Sequence, residues 1–195
     1  MSKRFHPLSV HALALALSAL AFLSTAEATD AAWARVQRGG YTILMQGADA
    51  SGTLSPTVDH SVDCSATQTL SDRGRQLAQK LGARFAARGV RIERILTSST
   101  CNARETARLS FGSIPAEIFK SLDPLPADDA GKGVELEKIR ALILGFKGSG
   151  NLVMLTDRTN ITALTGISPR PTEAVVVGPN GEGAEIHVAG RIIFD

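Results

Sequence analysis

Residues 39–50 read Gly39-Gly40-Tyr41-Thr42-Ile43-Leu44-Met45-Gln46-Gly47-Ala48-Asp49-Ala50. The run Tyr41 to Met45 is short, apolar and bounded by glycines, which predicts a buried strand. A second run, Ile92 to Leu96, ends in Thr97-Ser98-Ser99-Thr100. A third, Asn151 to Leu155, ends in Thr156-Asp157. All three have strand length and a polar carboxyl end.

Helical patterns separate these runs. Ser71 and Asp72 offer an N-cap. Leu77, Leu81 and Phe85 then supply an apolar stripe at helical spacing, and Gly89 marks its end. A short helix is expected over residues 102–109, another over 136–146, and a third from Thr159 to near Gly166. Residues 30–38 suit a helical turn. A short strand fits Glu117 to Phe119, within an otherwise irregular stretch over 111–131. Residues 174–177 and 184–194 read as a closing hairpin turned at Pro179-Asn180-Gly181. Strands alternating with helices predict an α/β fold: a three-layer sandwich with a largely parallel central sheet and helices on both faces. Ligands of such sheets bind beyond the carboxyl ends of the strands, here Gln46-Gly47, Ser98-Ser99 and Thr156-Asp157. Residues 47–70 form a long polar excursion beside one of those ends.

The N-terminus has the layout of a secretory signal. Lys3 and Arg4 precede an apolar segment from Leu8 to Leu23, and Ala26-Glu27-Ala28 offers a small-x-small cleavage site. A retained anchor is the competing reading, although the segment is short for a membrane span. Residues 1–28 are therefore taken as the signal peptide, and 29–195 as one exported domain, periplasmic or secreted, with no later membrane span. Removing the signal leaves 19 of 21 basic and 18 of 19 acidic residues. A nearly neutral chain without basic runs and with sparse aromatics argues against nucleic acid as a partner. Cys64 and Cys101 are the two cysteines. In an oxidising compartment they read most simply as one disulfide, with two unpaired thiols as the alternative. No zinc-ligand set and no Cys-x-x-Cys motif is present, so no metal or cofactor is expected.

Three segments carry a family resemblance. The stretch from Gly39 to Ala50, with the helix "LSDRGRQLAQKLG" that follows its loop, resembles the start of the histidine-phosphatase (phosphoglycerate-mutase-like) superfamily. "ILTSSTCNARETA" resembles the second strand and helix, where that family commonly reads Ser-Pro-x-x-Arg-Ala-x-x-Thr-Ala, with an extra Cys in the exported branch. "NLVMLTDRTNITALTG" resembles the strand and helix that usually carry Gly-His. The resemblance covers nearly all of residues 39–195.

What it implies is a phosphohistidine chemistry whose parts are missing. A family member attacks phosphorus with one His, while two Arg and a second His surround the phosphate oxygens. A first-loop carboxylate protonates the leaving oxygen. The first Arg falls on Gln46, the nucleophilic His on Gly47, the second Arg on Asn102 and the second His on Asp157. Glycine carries no nucleophile. Gln46 and Asn102 donate hydrogen bonds without positive charge. Asp157 opposes a phosphate with roughly 4 kcal/mol of repulsion per unit charge pair at ~4 Å and an effective dielectric near 20. Sliding Arg104 into the missing place would turn its side chain by roughly 200° around the helix.

The other polar residues suit blander roles. His187 reads as an ordinary strand histidine, and His60 as a solvated loop residue rather than a metal ligand or relocated base. Ser98 and Ser99 lack an evident activating base. Asp157 has no metal-binding carboxylates beside it and suits an N-cap. Asp49 either faces the pocket or caps a turn. Arg158 can point inward. Glu105 and Thr106 read as structural. The expectation is a pseudophosphatase with no catalytic residues at the degenerate positions. Gln46, Asn102, Thr156 and Asp157 would line a polar cleft for a small polar ligand or a protein partner. The alternative is a phosphomonoesterase of this family using a non-standard nucleophile.

Overall fold

The computed structural model describes residues 28–49, 64, 70–171, 173–179 and 185–194. The expected signal segment, His60 and the tip of the closing hairpin lie outside the described residues. Helix α1 covers residues 28–38. It is followed by β1 (Thr42–Gln46), α2 (Asp72–Ala87), β2 (Ile92–Thr97), α3 (Cys101–Phe111) and β3 (Ala116–Ile118). A 3-10 turn (Lys120–Leu122), α4 (Asp129–Gly145), β4 (Asn151–Thr156), α5 (Arg158–Thr165), β5 (Glu173–Pro179) and β6 (Ile186–Ile193) complete the chain.

One mixed sheet has the order β3-β2-β4-β1-β5-β6. The first four strands are mutually parallel, and β5 is antiparallel to both β1 and β6. The expected α/β sandwich and closing hairpin are therefore present. Successive strand side chains alternate between faces, which explains the continuous apolar runs. Ile43 and Met45 of β1 and Val153 and Leu155 of β4 pack with Trp33, Phe85 and Phe111 under α1, α2 and α3. Leu44, Leu152 and Met154 pack on the other face with Ile139, Ile143, Ile161 and Leu164 of α4 and α5.

Phe85 anchors an aromatic cluster, its ring centroid 5.3 Å from that of Trp33 and 5.5 Å from that of Phe111, both edge-on. Such pairs contribute about 1 kcal/mol beyond the area they bury. The stretch expected as a helical turn over 30–38 is thus a full helix whose Ala32, Trp33 and Val36 are core residues. Asn151, fully buried, ties this helix to the sheet. Its Nδ2 donates to Val36 O at 2.7 Å and to Arg91 O at 2.9 Å, and its Oδ1 accepts from Tyr41 N.

The glycine pair that opens β1 is a conformational requirement. Gly39 and Gly40 both have φ of +84°, and a Cβ on Gly39 would fall 2.1 Å from Ser149 O. Ser71 caps α2 through a bond from Gly74 N, and Gly89 with φ of +65° follows its last turn.

Two helices are longer than their patterns predict. α3 starts one residue earlier and runs to Phe111. α4 starts at Asp129 rather than near 136, because Asp128 accepts from Gly131 N and caps a turn whose glycines read as loop. Ion pairs Lys132–Asp129, Lys138–Glu135 and Arg140–Glu137 follow along its exposed side. β3 is Ala116–Ile118, one residue before the expected 117–119.

No helix among the described residues is long and apolar enough to cross a membrane. Cys64 and Cys101 form a disulfide with Cα atoms 5.2 Å apart, fastening the excursion after β1 to the first residue of α3.

Candidate functional site

β1, β2 and β4 end side by side, since Gln46 pairs with Thr156 and Thr97 with Leu155. The chain leaves all three there, and a cleft of about 250 Å³ opens among the exits. Gln46, Gly47, Asn102, Thr156 and Asp157 all line it, joined by Ser98, Thr100, Leu122, Pro124 and Arg158. Of the six strand-end positions singled out from the sequence, all but Ser99 meet in one place.

Gly47 sits tightly against α3. A Cβ built on it would lie 2.8 Å from Asn102 Nδ2, 3.1 Å from Ala103 N and 3.2 Å from Ala103 Cα. Thr106, fully buried, holds this approach. Its Oγ1 accepts from Ala48 N at 2.9 Å and donates to Asn102 O at 2.6 Å. A side chain at 47 would crowd the start of α3, so that Asn102 and the helix would have to shift.

Gln46 Nε2 donates to Pro169 O at 3.0 Å and to Arg170 O at 3.1 Å. Its amide thus holds the loop between α5 and β5. Glu173 secures the same loop, accepting from Arg170 N at 3.0 Å and pairing with Arg191. Burial pushes the Glu173 carboxyl up, but the bonds from Arg191 and the Arg170 N–H outweigh it and hold the group below its ordinary 4.5.

Thr156 Oγ1 donates to Leu122 O at 2.7 Å and accepts from Asn160 Nδ2 at 2.7 Å. Asp157 is the N-cap of α5, its Oδ1 accepting from Asn160 N at 2.8 Å. Arg158 follows it into the cleft wall. One anion and one cation therefore line the cleft, and their formal charges cancel.

The serines at the end of β2 are occupied. Ser98 Oγ shares a hydrogen bond with Thr100 Oγ1 at 2.7 Å. Ser99 Oγ donates to Asp123 Oδ2 at 2.7 Å, and Ser99 N donates to Oδ1 of the same carboxylate. His187 of β6, the one histidine among the described residues, pairs with Gly178 of β5. That register puts it at the amino ends of the parallel strands, across the sheet from the cleft. Asp49 offers its backbone carbonyl to Ser71 N and does not line the cleft. Glu105 pairs with Arg108 and Thr106 is the clamp described above, so both are structural. Arg104 lines a different cavity, as its place two residues along α3 from Asn102 requires. Among the described residues no group of three or more His, Cys, Asp or Glu is placed to hold a metal ion.

Thr100, Leu122 and Pro124 were not singled out from the sequence. Leu122 and Pro124 come from the irregular stretch after β3, which no periodic pattern places against a strand end.

This architecture is shared with solved phosphatases. The protein histidine phosphatase SixA complexed with tungstate matches with a TM-score of 0.57 and 18% identity, over 78% of this chain and 96% of that one. The alpha-ribazole phosphatase from Shigella flexneri matches with a TM-score of 0.57 and 15% identity, over 80% and 99%. A phosphoserine phosphatase from Entamoeba histolytica, in complex with 3-phosphoglyceric acid, matches with a TM-score of 0.55 and 14% identity, over 80% and 98%. The sequence matches no protein-family model and no curated protein. The chain has the histidine-phosphatase, phosphoglycerate-mutase-like fold.

Proposed function

We propose that this protein is an exported pseudophosphatase: a histidine-phosphatase-like domain that binds a small polar ligand, or a protein, in the cleft without turning over phosphate. The single observation that carries the reading is the composition of the cleft. Gly47 stands where the resemblance places the nucleophile, tightly against the start of α3. Gln46 and Asn102 replace the cations, and Asp157 replaces the second His.

Phosphate recognition in water-excluded sites relies on clustered positive charge and charge-assisted hydrogen bonds. Here Arg158 is balanced by Asp157, and Gln46 already spends its amide on backbone carbonyls. A neutral polar cleft suits a sugar, an amine or a peptide group better than a dianion. The Cys64–Cys101 disulfide agrees with an oxidising, exported setting.

A tungstate titration tests the loss of anion recognition, because tungstate mimics a phosphoryl group. No saturable binding is expected. Saturable binding that is lost in Arg158→Gln would overturn the reading.

The second reading, a phosphomonoesterase with a different nucleophile, has one observation in its favour. Ser99 Oγ is hydrogen-bonded to a carboxylate, Asp123. Against it, the same carboxylate also accepts from the Ser99 backbone, which is what a loop clamp requires.

A further inference from the structure

A second cavity, of about 590 Å³, opens between α3 and the edge strand β3. It shares no lining residue with the cleft. Its volume lies within the range of small-molecule sites. Ile114, Pro115 and Ile118 make an apolar wall, and Ile118 is 49% exposed, one of two large hydrophobic residues so placed among the described residues.

The polar side of this cavity comes from α3. Arg108 is neutralised by a two-point pair with Glu105, at 2.9 and 2.7 Å. Arg104 has no carboxylate within ion-pair distance among the described residues, and its Nη1 donates only to the soft acceptor Cys64 Sγ at 3.0 Å. Among the described residues, the net charge lining the cavity is therefore one positive fork. Thr97, 1% exposed, also lines it and carries the only buried hydroxyl among the described residues without a hydrogen-bond partner. Such an orphan calls for a polar atom to complete it.

We propose that this cavity binds a small organic carboxylate with an apolar body. A planar guanidinium matches one carboxylate through two parallel hydrogen bonds. One cation neutralises a monoanion, whereas a dianionic phosphate would keep an unpaired charge that is costly to desolvate. The isoleucine and proline wall takes the apolar body, and the Thr97 hydroxyl gains a partner at the deep end. This site is independent of the cleft and of its proposed role.

The test is a calorimetric titration of octanoate into the disulfide-intact protein, with octanamide as the neutral control. One saturable site is expected for octanoate, with octanamide at least about tenfold weaker. Arg104→Gln should weaken octanoate by at least about tenfold by removing the charge-assisted bonds. Ile118→Asp, at an exposed position where folding is not at stake, should do the same by placing a like charge at the rim. Asp157→Ala, in the other cleft, should leave the affinity unchanged. Absence of saturable binding, equal affinity for octanamide, or binding that survives both Arg104→Gln and Ile118→Asp overturns the proposal. So does binding that is lost in Asp157→Ala.

Discussion

Asn102 Nδ2 stands 2.8 Å from the point where a Cβ on Gly47 would lie. These are the two positions that the family resemblance assigns to a nucleophile and a cation. A side chain introduced at 47 therefore meets a crowded space. Gly47→His should destabilise the fold by about 1–3 kcal/mol through overpacking, and should not create phosphatase activity. Adding Asn102→Gly should recover part of the loss, a coupling that a double-mutant cycle in urea measures. Additive effects would show that the contact does not restrict position 47.

Asp157 caps α5 through Asn160 N. Asp157→Ala should cost about 1 kcal/mol, while Asp157→Asn, which keeps the acceptor, should cost a few tenths at most. Urea midpoints at matched slopes would read both. Equal losses in the two variants would mean that charge, rather than capping, sets the contribution.

The sign of the Glu173 effect follows from its lowered carboxyl pKa. The unfolded chain takes up the proton first as pH falls. Its stabilisation is therefore full well above the ordinary 4.5 and is lost as pH drops through the lower folded value. Glu173→Gln should flatten the stability profile in that acid window. Arg191→Ala should cost about 1–2 kcal/mol at neutral pH, because loss of the half-exposed Arg191 leaves Glu173 with only the Arg170 N–H bond and charge. Thermal melts across the window would check both. An unchanged acid slope in Glu173→Gln would sink the assignment.

Cys64 and Cys101 are separated by 37 positions, and closing that loop removes about 4 kcal/mol of unfolded-state freedom in the chain-entropy model. Replacing both by alanine should lower stability by up to that amount. Reduction of the parent protein should lower it similarly, and reduction should have no effect on the double variant. Chemical melts with and without reductant distinguish these outcomes.

The sheet and the cleft were legible because their signals are local. Glycine-bounded apolar runs mark strands buried on both faces, and the residues just after them had to meet at one sheet end. Hence Gln46, Gly47, Thr156 and Asp157 could be grouped before any coordinates, and the family resemblance added Asn102. The bonds those residues make were not legible. Gln46 reaches Pro169 and Arg170, over 120 positions away, and no spacing rule announces such a contact. The core role of Trp33 was hidden too, because the mixed polar and apolar residues 30–38 suggest only a helical turn. Gly131 and Gly133 masked the start of α4, since propensity counts against them and an Asp128 cap outweighs it. The Arg104 cavity depends on where β3 falls beside α3, which sequence order alone does not place.

The central claim is that this cleft no longer performs phosphoryl transfer. Steady-state turnover of p-nitrophenyl phosphate by residues 29–195, with the disulfide intact, tests it most directly when run beside Asp157→Ala and Ser99→Ala. The account predicts no turnover above the solvent rate in any of the three. Turnover in the parent that disappears in either variant would contradict it and would identify the side chain that has taken over from the missing histidine.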